Sequence, residues 1–253
     1  MRRVLFNILL LILISSSCII PQQFSTGSPE WLVDMFFRQS SFVDKSYYYT
    51  GEMISDVDKP TIGEEIKGRG EALFHQIKAT NNECVFTAEL NVDDKIMDFY
   101  CYLIKQEEGW KINAIRRFLL PDFVYTVFDS LSKLSSLSSA DSALYLSLKL
   151  FIMNDSQLKS FLITHSKDLD NLVWYFNQQE NEEVDRRLTA MGFNAMFRDK
   201  SYPGCIFIQI AALEKMESGL IYVVQPSKLP VVSIKDFVYI EEVLPGWFIY
   251  RIM

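Results

Sequence analysis

Between residues 71 and 115 the chain alternates between apolar and polar positions with a period of two, which predicts antiparallel β-strands. A turn at Asp93–Asp94 sets the register of two of these strands. In that register three consecutive cross-strand pairs are apolar: Leu90 with Met97, Ala88 with Phe99, and Phe86 with Cys101. The opposite face carries polar or amphipathic side chains, namely Glu83, Val85, Thr87, Glu89, Asp98, Tyr100 and Tyr102. We therefore expect a hairpin with one buried face.

Helix signals precede these strands. Ser28-Pro29-Glu30 combines an N-cap serine, a proline at the first helical position and an acid in the first turn. We expect a helix that starts there and ends near Arg38 or Ser41. Residues 44–49 are compatible with a second short helix or with a strand, and residues 56–63 predict a loop.

The second half of the chain predicts helices followed by strands, which is typical of the α+β class. Helical spacing of apolar residues predicts helices at 122–131, 142–153, 156–165, 167–177 and 183–191. We expect Asp141 and Asp155 to cap the second and third of these helices and Gly192 to end the last one. The helix at 142–153 is apolar on nearly every face, so we expect it to be buried. Short apolar runs predict an antiparallel meander at 193–197, 205–211, 220–224, 237–240 and 247–252.

The first half resembles a known superfamily. An N-terminal helix, an irregular segment and a meander that closes with Gly109-Trp110-Lys111-Ile112 before Ala114-Ile115 are similar to the nuclear-transport-factor-2-like superfamily over residues 28–120. The resemblance implies a cone-shaped α+β domain in which a curved antiparallel sheet wraps around helices and leaves a concave pocket. Members use that pocket for isomerase or dehydratase chemistry, or for binding alone. A serine-rich stretch predicts a boundary between this domain, at 28–136, and a second α+β domain at 137–253.

The start of the chain predicts export. Arg2 and Arg3 precede an apolar run from Val4 to Ile14, and three serines follow it. This order of charged, apolar and small residues is typical of a secretory signal, which we place at residues 1–17. The run is shorter than the ~20 residues of a membrane span, although extension to Ile20 leaves an uncleaved anchor as the alternative.

Cys18 directly follows these small residues and resembles the acylated cysteine of bacterial lipoproteins. Ser16 and Ser17 fit that motif, whereas Ser15 stands where the motif usually has leucine. Ordinary cleavage after Ser17 is the alternative. We expect a tether at residues 18–27 and a bacterial cell-envelope location, either membrane-anchored or free in the periplasm or outside the cell.

Charge and cysteine spacing restrict the picture further. The 253 residues include 25 Lys and Arg against 32 Asp and Glu, a net charge of −7 that argues against a nucleic-acid partner or an anionic membrane surface. In the predicted register Cys84 faces Leu103 and lies diagonal to Cys101, at the ~7–8 Å of such neighbours. A disulfide needs Cα atoms ~5.5–6 Å apart, so we expect two buried free thiols.

Candidate chemistry is sparse. The chain has two histidines and no zinc or calcium motif, so we expect no metal and no cofactor. Two Ser-x-x-Lys matches, Ser130 with Lys133 and Ser156 with Lys159, lack the companion motifs of penicillin-recognising enzymes, and we interpret them as solvent-facing helix residues. His75 shares a strand face with Leu73 and Ile77 and is the one candidate acid or base. The predicted candidate pocket consists of His75, Asp98, Tyr100 and Trp110.

These observations favour a non-enzymatic protein of the envelope that acts in binding or assembly. Its expected partners are the membrane, through the lipid anchor or an uncleaved signal, and either a protein or a small apolar ligand. One alternative is an isomerase, dehydratase or hydrolase that uses His75. The other is an accessory or inhibitory module for another secreted protein.

Overall fold

The computed structural model describes residues 24–93, 95–223 and 228–253. The predicted signal, Cys18 and the first part of the tether lie outside the described residues. Helix α1 spans Pro29–Phe37, and the Ser28 hydroxyl accepts a hydrogen bond from the amide of Trp31 at 3.2 Å, which confirms the predicted cap. Its buried face carries Leu32, Val33, Phe36 and Phe37.

Three short helices follow α1. Helix α2 spans Lys45–Tyr48, a 3-10 helix spans Gly51–Asp56, and α3 spans Ile62–Ile66. The loop predicted at 56–63 is therefore too long, because a capping box between Thr61 and Glu64 starts a helix inside it.

The first sheet has four antiparallel strands in chain order. They are β1 Gly70–Ala79, β2 Glu83–Val92, β3 Lys95–Gln106 and β4 Gly109–Arg117. The predicted register of β2 against β3 is confirmed, including Leu90 opposite Met97 and Cys84 opposite Leu103. Cys84, Cys101 and Cys205 are free and buried, also as predicted for the first two.

Both faces of this sheet are buried, so the prediction of one buried face is wrong. One face packs on α1 and carries Ala88, Leu90, Phe99 and other apolar residues. On the other face Val85, Thr87, Tyr100 and Tyr102 are buried, because the second half of the chain covers them. The alternation of apolar and polar residues along the strands indicates that this face is amphipathic, but it does not indicate which part of the chain covers the face.

The second half contains five helices and a second antiparallel sheet in the described residues. The helices are α4 Asp122–Ser132, α5 Ser139–Phe151, α6 Asp155–Thr164, α7 Ser166–Asn177 and α8 Asn181–Met191. The strands are β5 Ala195–Phe197, β6 Cys205–Leu213, β7 Met216–Val223, β8 Phe237–Leu244 and β9 Trp247–Ile252. The predicted α+β class is confirmed. The order β5-β6-β7-β9-β8 departs from a simple meander, because β9 pairs with both β7 and β8.

Three helix predictions need correction or confirmation. The caps of α5 and α6 are Ser138 and Asn154, and not Asp141 and Asp155, which instead lie in the first turns. Helix α5 is only half-buried: Leu144 is 46% exposed, since α5 contacts neighbouring elements on one side. Gly192 ends α8 as predicted, in the left-handed conformation (φ 81°) that glycine adopts most easily.

The two halves share one hydrophobic core. A single cluster runs from Tyr100 and Tyr102 of the first sheet to Leu158 of α6, Leu169 of α7 and Ile249 of β9. None of the described helices has the length and apolarity that would let it cross a membrane. The seam between the halves is where we find most of the charged groups that are removed from solvent.

Candidate functional site

A cleft of about 190 Å³ opens at the seam between the first sheet and α6. We call it the junction cleft, and it is lined by Leu73, His75, Thr87, Ala88, Glu89, Asp98, Asp155, Ser156 and Lys159. His75 projects from the face of β1 that is turned toward the second half, whereas Phe74 packs on the α1 side. The cleft is small, most of its lining residues carry a polar or charged group, and both halves of the chain supply its walls.

His75 is tied to the second half by Glu241 of β8. Its Nε2 lies 3.0 Å from Glu241 Oε2, and its Nδ1 lies 3.2 Å from the Thr87 hydroxyl. The second oxygen of Glu241 forms an ion pair with Lys159 Nζ at 2.7 Å, and Tyr239 donates to Oε2 at 2.9 Å. Burial favours the protonated form of Glu241, but the bonds from His75 and Lys159 outweigh it and lower the pKa of this carboxyl to about 2.

A second group of charges lies beside the cleft, and two of its members, Asp155 and Arg251, are almost completely buried. Arg251 of β9 is 1% exposed, and its Nε donates to Asp155 Oδ1 at 3.2 Å. The other oxygen of Asp155 accepts a bond of 2.9 Å from the Tyr100 hydroxyl. Arg251 also donates to the Ser218 hydroxyl and to the Met153 carbonyl, each at 2.7 Å. Its guanidinium is therefore satisfied by partners from α6, from β7 and from the loop that precedes α6.

Asp98 completes this group from β3. Its Oδ2 accepts a hydrogen bond of 2.9 Å from the backbone N–H of Asp155, at the start of α6. Burial, followed by the negative charge of Asp155, raises the pKa of Asp98 to about 7. Two carboxylates thus lie near one guanidinium, which pairs directly with Asp155 alone. Burial raises the pKa of Asp155, while the ion pair with Arg251 and the Tyr100 hydroxyl act in the opposite direction and favour its ionised form.

The structure brings together three of the four predicted pocket residues. His75 and Asp98 line the junction cleft, and Tyr100 bonds to Asp155 directly behind it. Trp110 lies elsewhere: it is the second residue of β4, packs at the edge of the core on the α1 side, and has Lys105 Nζ 5.9 Å from its ring centre.

The Ser-x-x-Lys pair of α6 also lies at the junction cleft. Ser156 is exposed, as expected, and its hydroxyl donates to Glu89 Oε2 at 2.5 Å. Lys159 is not solvent-facing, because it forms the ion pair with Glu241 across the seam. With the lysine held by one carboxylate and the serine by another, the two side chains are bound to different partners and the pair is not arranged for proton transfer between them.

A second, larger cleft of about 430 Å³ lies at another part of the seam. It is formed by β2, β3 and residues 231–236, with Val85, Tyr102, Leu103, Val232 and Ile234 among its walls. The Tyr102 hydroxyl crosses the seam and donates to the carbonyls of Val238 at 2.5 Å and Ser233 at 3.2 Å. On the opposite face of the sheet, the space beside α1 is filled by apolar side chains.

Sequence reasoning missed Glu241, Asp155 and Arg251 as members of the site. Asp155 and Arg251 are 96 residues apart, so no local pattern could pair them. The one available signal was Arg251 itself, a charged residue within the apolar run 247–252. A charged side chain on a strand that is predicted to be buried requires a partner, although the sequence does not indicate which residue that partner is.

The described residues hold no group of three or more His, Cys, Asp or Glu side chains placed to bind a metal ion. A comparison with protein-family models gives no match, and a comparison with the curated proteins finds no significant relative. The functional argument therefore depends on the chemistry and exposure of this chain's own residues.

Proposed function

We propose that this chain is an exported, envelope-tethered binding protein without catalytic activity, which assembles with a protein partner through the exposed apolar side of α4. The observation that carries the proposal is the surface around that helix. Of fourteen large exposed hydrophobic residues in the described part of the chain, six lie between residues 119 and 144. We call four of them, Leu119, Phe123, Val127 and Leu134, the α4 patch; Tyr125 is also exposed but points to another side of the helix.

Several of the large apolar side chains of α4 face solvent and do not face the core. Val124 is the one fully buried residue of α4, while Phe123 is 55% exposed. Phe123 and Val127 are four positions apart and so share one side of the helix. Concentrated exposed apolar surface of this kind marks a contact with a protein or a membrane.

Charge favours a protein as the occupant. Asp122 and Asp129 are exposed on the same helix, and the chain as a whole carries a net charge of −7. This complements a partner whose apolar contact is bordered by lysine and arginine, and it opposes contact with anionic lipid headgroups. The proposed tether also favours a protein partner, because a lipid on Cys18 would hold the folded part of the chain close to other envelope proteins.

The junction cleft supports the absence of catalysis. His75, Lys159 and Ser156 each contact a glutamate carboxylate, so each group that could react is already held by an acidic side chain. In residues 24–93, 95–223 and 228–253, no buried side-chain nitrogen or oxygen lacks a hydrogen-bond partner. A polar network without unpaired groups is typical of a structural contact.

We further infer that residues 28–120 belong with the nuclear-transport-factor-2-like superfamily. A helix, an irregular segment with short helices and a four-stranded antiparallel meander follow one another in the expected order. Use of this fold for binding alone fits the proposed role.

The tether is tested by fractionation of bacterial cells that express the full chain. Wild-type protein should remain with the membranes and incorporate labelled palmitate, and Cys18→Ser should do neither. Ser17→Ala is the control that keeps the cysteine and a small residue before it. Equal behaviour of the Cys18→Ser variant and the wild type contradicts lipid anchoring.

The partner surface is tested by photo-crosslinking in intact cells, with p-benzoylphenylalanine placed at Phe123. Trp174, an aromatic residue of α7 that is 52% exposed, is the matched control position. We expect one discrete protein adduct from position 123, identified by mass spectrometry, that Val127→Asp removes and that position 174 does not form. Lipid adducts, adducts between two copies of this chain, or equal adducts from both positions contradict a protein partner.

A second candidate function is an enzyme that uses His75. One observation favours it: burial raises the pKa of Asp98 to about 7, while bonds from His75 and Lys159 lower the pKa of Glu241 against its burial. Opposed shifts at one cleft are a feature of acid–base sites. Loss of turnover of a small apolar substrate in His75→Ala, with His165→Ala as the control, would favour this function.

A further inference from the structure

The strongest remaining feature is the charge imbalance at the seam. Asp98 comes from β3 of the first half, and Asp155 and Arg251 come from α6 and β9 of the second half. The backbone N–H of Asp155 donates to Asp98 at 2.9 Å, and its carboxylate lies 3.2 Å from Arg251 Nε. Of these two contacts, the ion pair holds α6 against β9 within the second half, whereas the hydrogen bond joins the two halves.

We propose that this contact is a proton-sensitive latch, which an uncharged Asp98 strengthens and an ionised Asp98 weakens. With both carboxylates ionised, the cluster has two negative charges against one positive charge, in surroundings with little water. Protonation of Asp98 makes the cluster neutral and removes the repulsion between the two carboxylates, although the bond from the Asp155 N–H to Oδ2 is then weaker. The inference does not depend on the proposed partner of the α4 patch.

The other charged groups near Asp98 do not remove the imbalance. Those that face it or line the adjoining clefts are Glu89 on β2, His75 on β1, Lys159 on α6, Glu241 on β8 and Arg117 on β4. Glu89 adds a negative charge, and Lys159 and His75 are bound to Glu241. Arg117 has its guanidinium 5.6 Å from the Phe99 ring centre, and no ion pair joins it to Asp98 in the described residues.

A proton can reach Asp98 without unfolding of the protein. Its side chain is only partly buried and lines both the junction cleft and a smaller cleft of about 70 Å³ on the other side. Exchange with solvent is therefore expected to be fast, so the latch should respond to the pH around an envelope protein at equilibrium.

The direction of the effect follows from the protons bound in each state. Burial and the neighbouring Asp155 carboxylate raise the pKa of Asp98 to about 7 in the folded protein, against about 3.9 in an unfolded chain. Between these values the folded state holds more protons, so its stability falls as pH rises from about 4 to about 7. Since one proton is involved, opening of the seam can increase by at most about tenfold per pH unit.

The test measures Tm and amide hydrogen exchange of the mature, detergent-extracted protein at pH 5.5 and pH 8. We expect a lower Tm at pH 8 and, after correction for intrinsic exchange rates, faster exchange in the first turn of α6. Asp98→Asn keeps an oxygen acceptor for the Asp155 N–H and should remove most of both differences. Asp129→Asn, at an exposed position of α4, should keep them.

Two outcomes would overturn the latch. The first is a Tm difference between the two pH values that is the same in Asp98→Asn and the wild type. The second is a uniform loss of Tm in Asp98→Asn with unchanged pH dependence, since this indicates a purely structural role. If Asp98→Asn does not fold, Glu89→Gln decides, because loss of that charge should move the midpoint of the wild-type pH dependence to lower pH. An unmoved midpoint contradicts the proposal.

Discussion

The two faces of the first sheet are both buried, but against contacts of different chemistry. On the α1 side, Leu32, Phe37, Leu90 and Phe99 form an apolar contact. On the side of the second half, apolar residues are mixed with hydroxyl groups and charged side chains. Among the charged side chains, Arg251 is the most deeply buried. The first contact depends on shape and on apolar area removed from water, whereas the second also depends on the completeness of a polar network.

This difference has consequences for how each contact fails. Loss of an apolar side chain on the α1 side leaves a cavity, whose cost does not change with pH. Loss of one charge at the seam leaves its partners buried and unpaired, and the cost then depends on their ionisation. The four predictions below compare the two faces, beginning with the largest expected effect.

Replacement of Arg251 with Ala should destabilise the protein by about 3–5 kcal/mol, because the buried Asp155 carboxylate loses the cation that pairs with it. Urea unfolding at pH 7.5 measures the change. Arg186→Ala is the control, since this arginine pairs with Glu183 on the surface of α8. A loss at Arg251 as small as that of the control shows that the buried ion pair does not hold the seam.

Leu32→Ala on the α1 side should cost about 2–5 kcal/mol, since Leu32 is completely buried and its removal creates a cavity. Unlike the Arg251→Ala effect, this cost should be the same at pH 5.5 and pH 8. Leu144→Ala, at an exposed position of α5, should have little effect. A marked pH dependence of the Leu32→Ala effect contradicts the distinction between the two faces.

Tyr100→Phe should cost about 1–3 kcal/mol, because the buried Asp155 carboxylate loses the hydroxyl that donates to it at 2.9 Å. The variant keeps the ring that stacks on Tyr239, so denaturant unfolding reports mainly the lost hydrogen bond. Tyr125→Phe, at an exposed position of α4, is the matched control. Equal stability of Tyr100→Phe and wild type shows that Asp155 is satisfied without the hydroxyl.

His75→Gln should have the smallest effect, about 0.5 kcal/mol at pH 7, because the histidine side chain is 52% exposed and water screens its pair with Glu241. Its bond helps to lower the pKa of Glu241 to about 2, against the effect of burial. The contribution of ionised Glu241 is present above about pH 4.3 and is lost as pH falls toward 2. The cost of His75→Gln should therefore disappear in unfolding curves below pH 3, and a cost that grows there contradicts the ion pair.

Local structure was accessible from the sequence where the causes are local. The register of β2 against β3 follows from the turn at Asp93 and the alternation on either side, and the start of α1 follows from the Ser28 cap. The Thr61–Glu64 capping box carried a readable signal that the proline before it obscured. The burial of α5 was overestimated, because the identity of its side chains does not say how many of its faces meet a neighbour.

The amino-acid sequence by itself determined the α+β class and the pairing of β2 with β3, and it predicts export. These depend on residues within a few positions of each other, whose propensities and spacing act over short distances. Only the tertiary structure decided that both faces of the first sheet are buried and that Asp98, Asp155 and Arg251 meet. Residues so far apart in the chain are brought together by packing of whole elements, and the electrostatics of the seam exist only after that packing has excluded water.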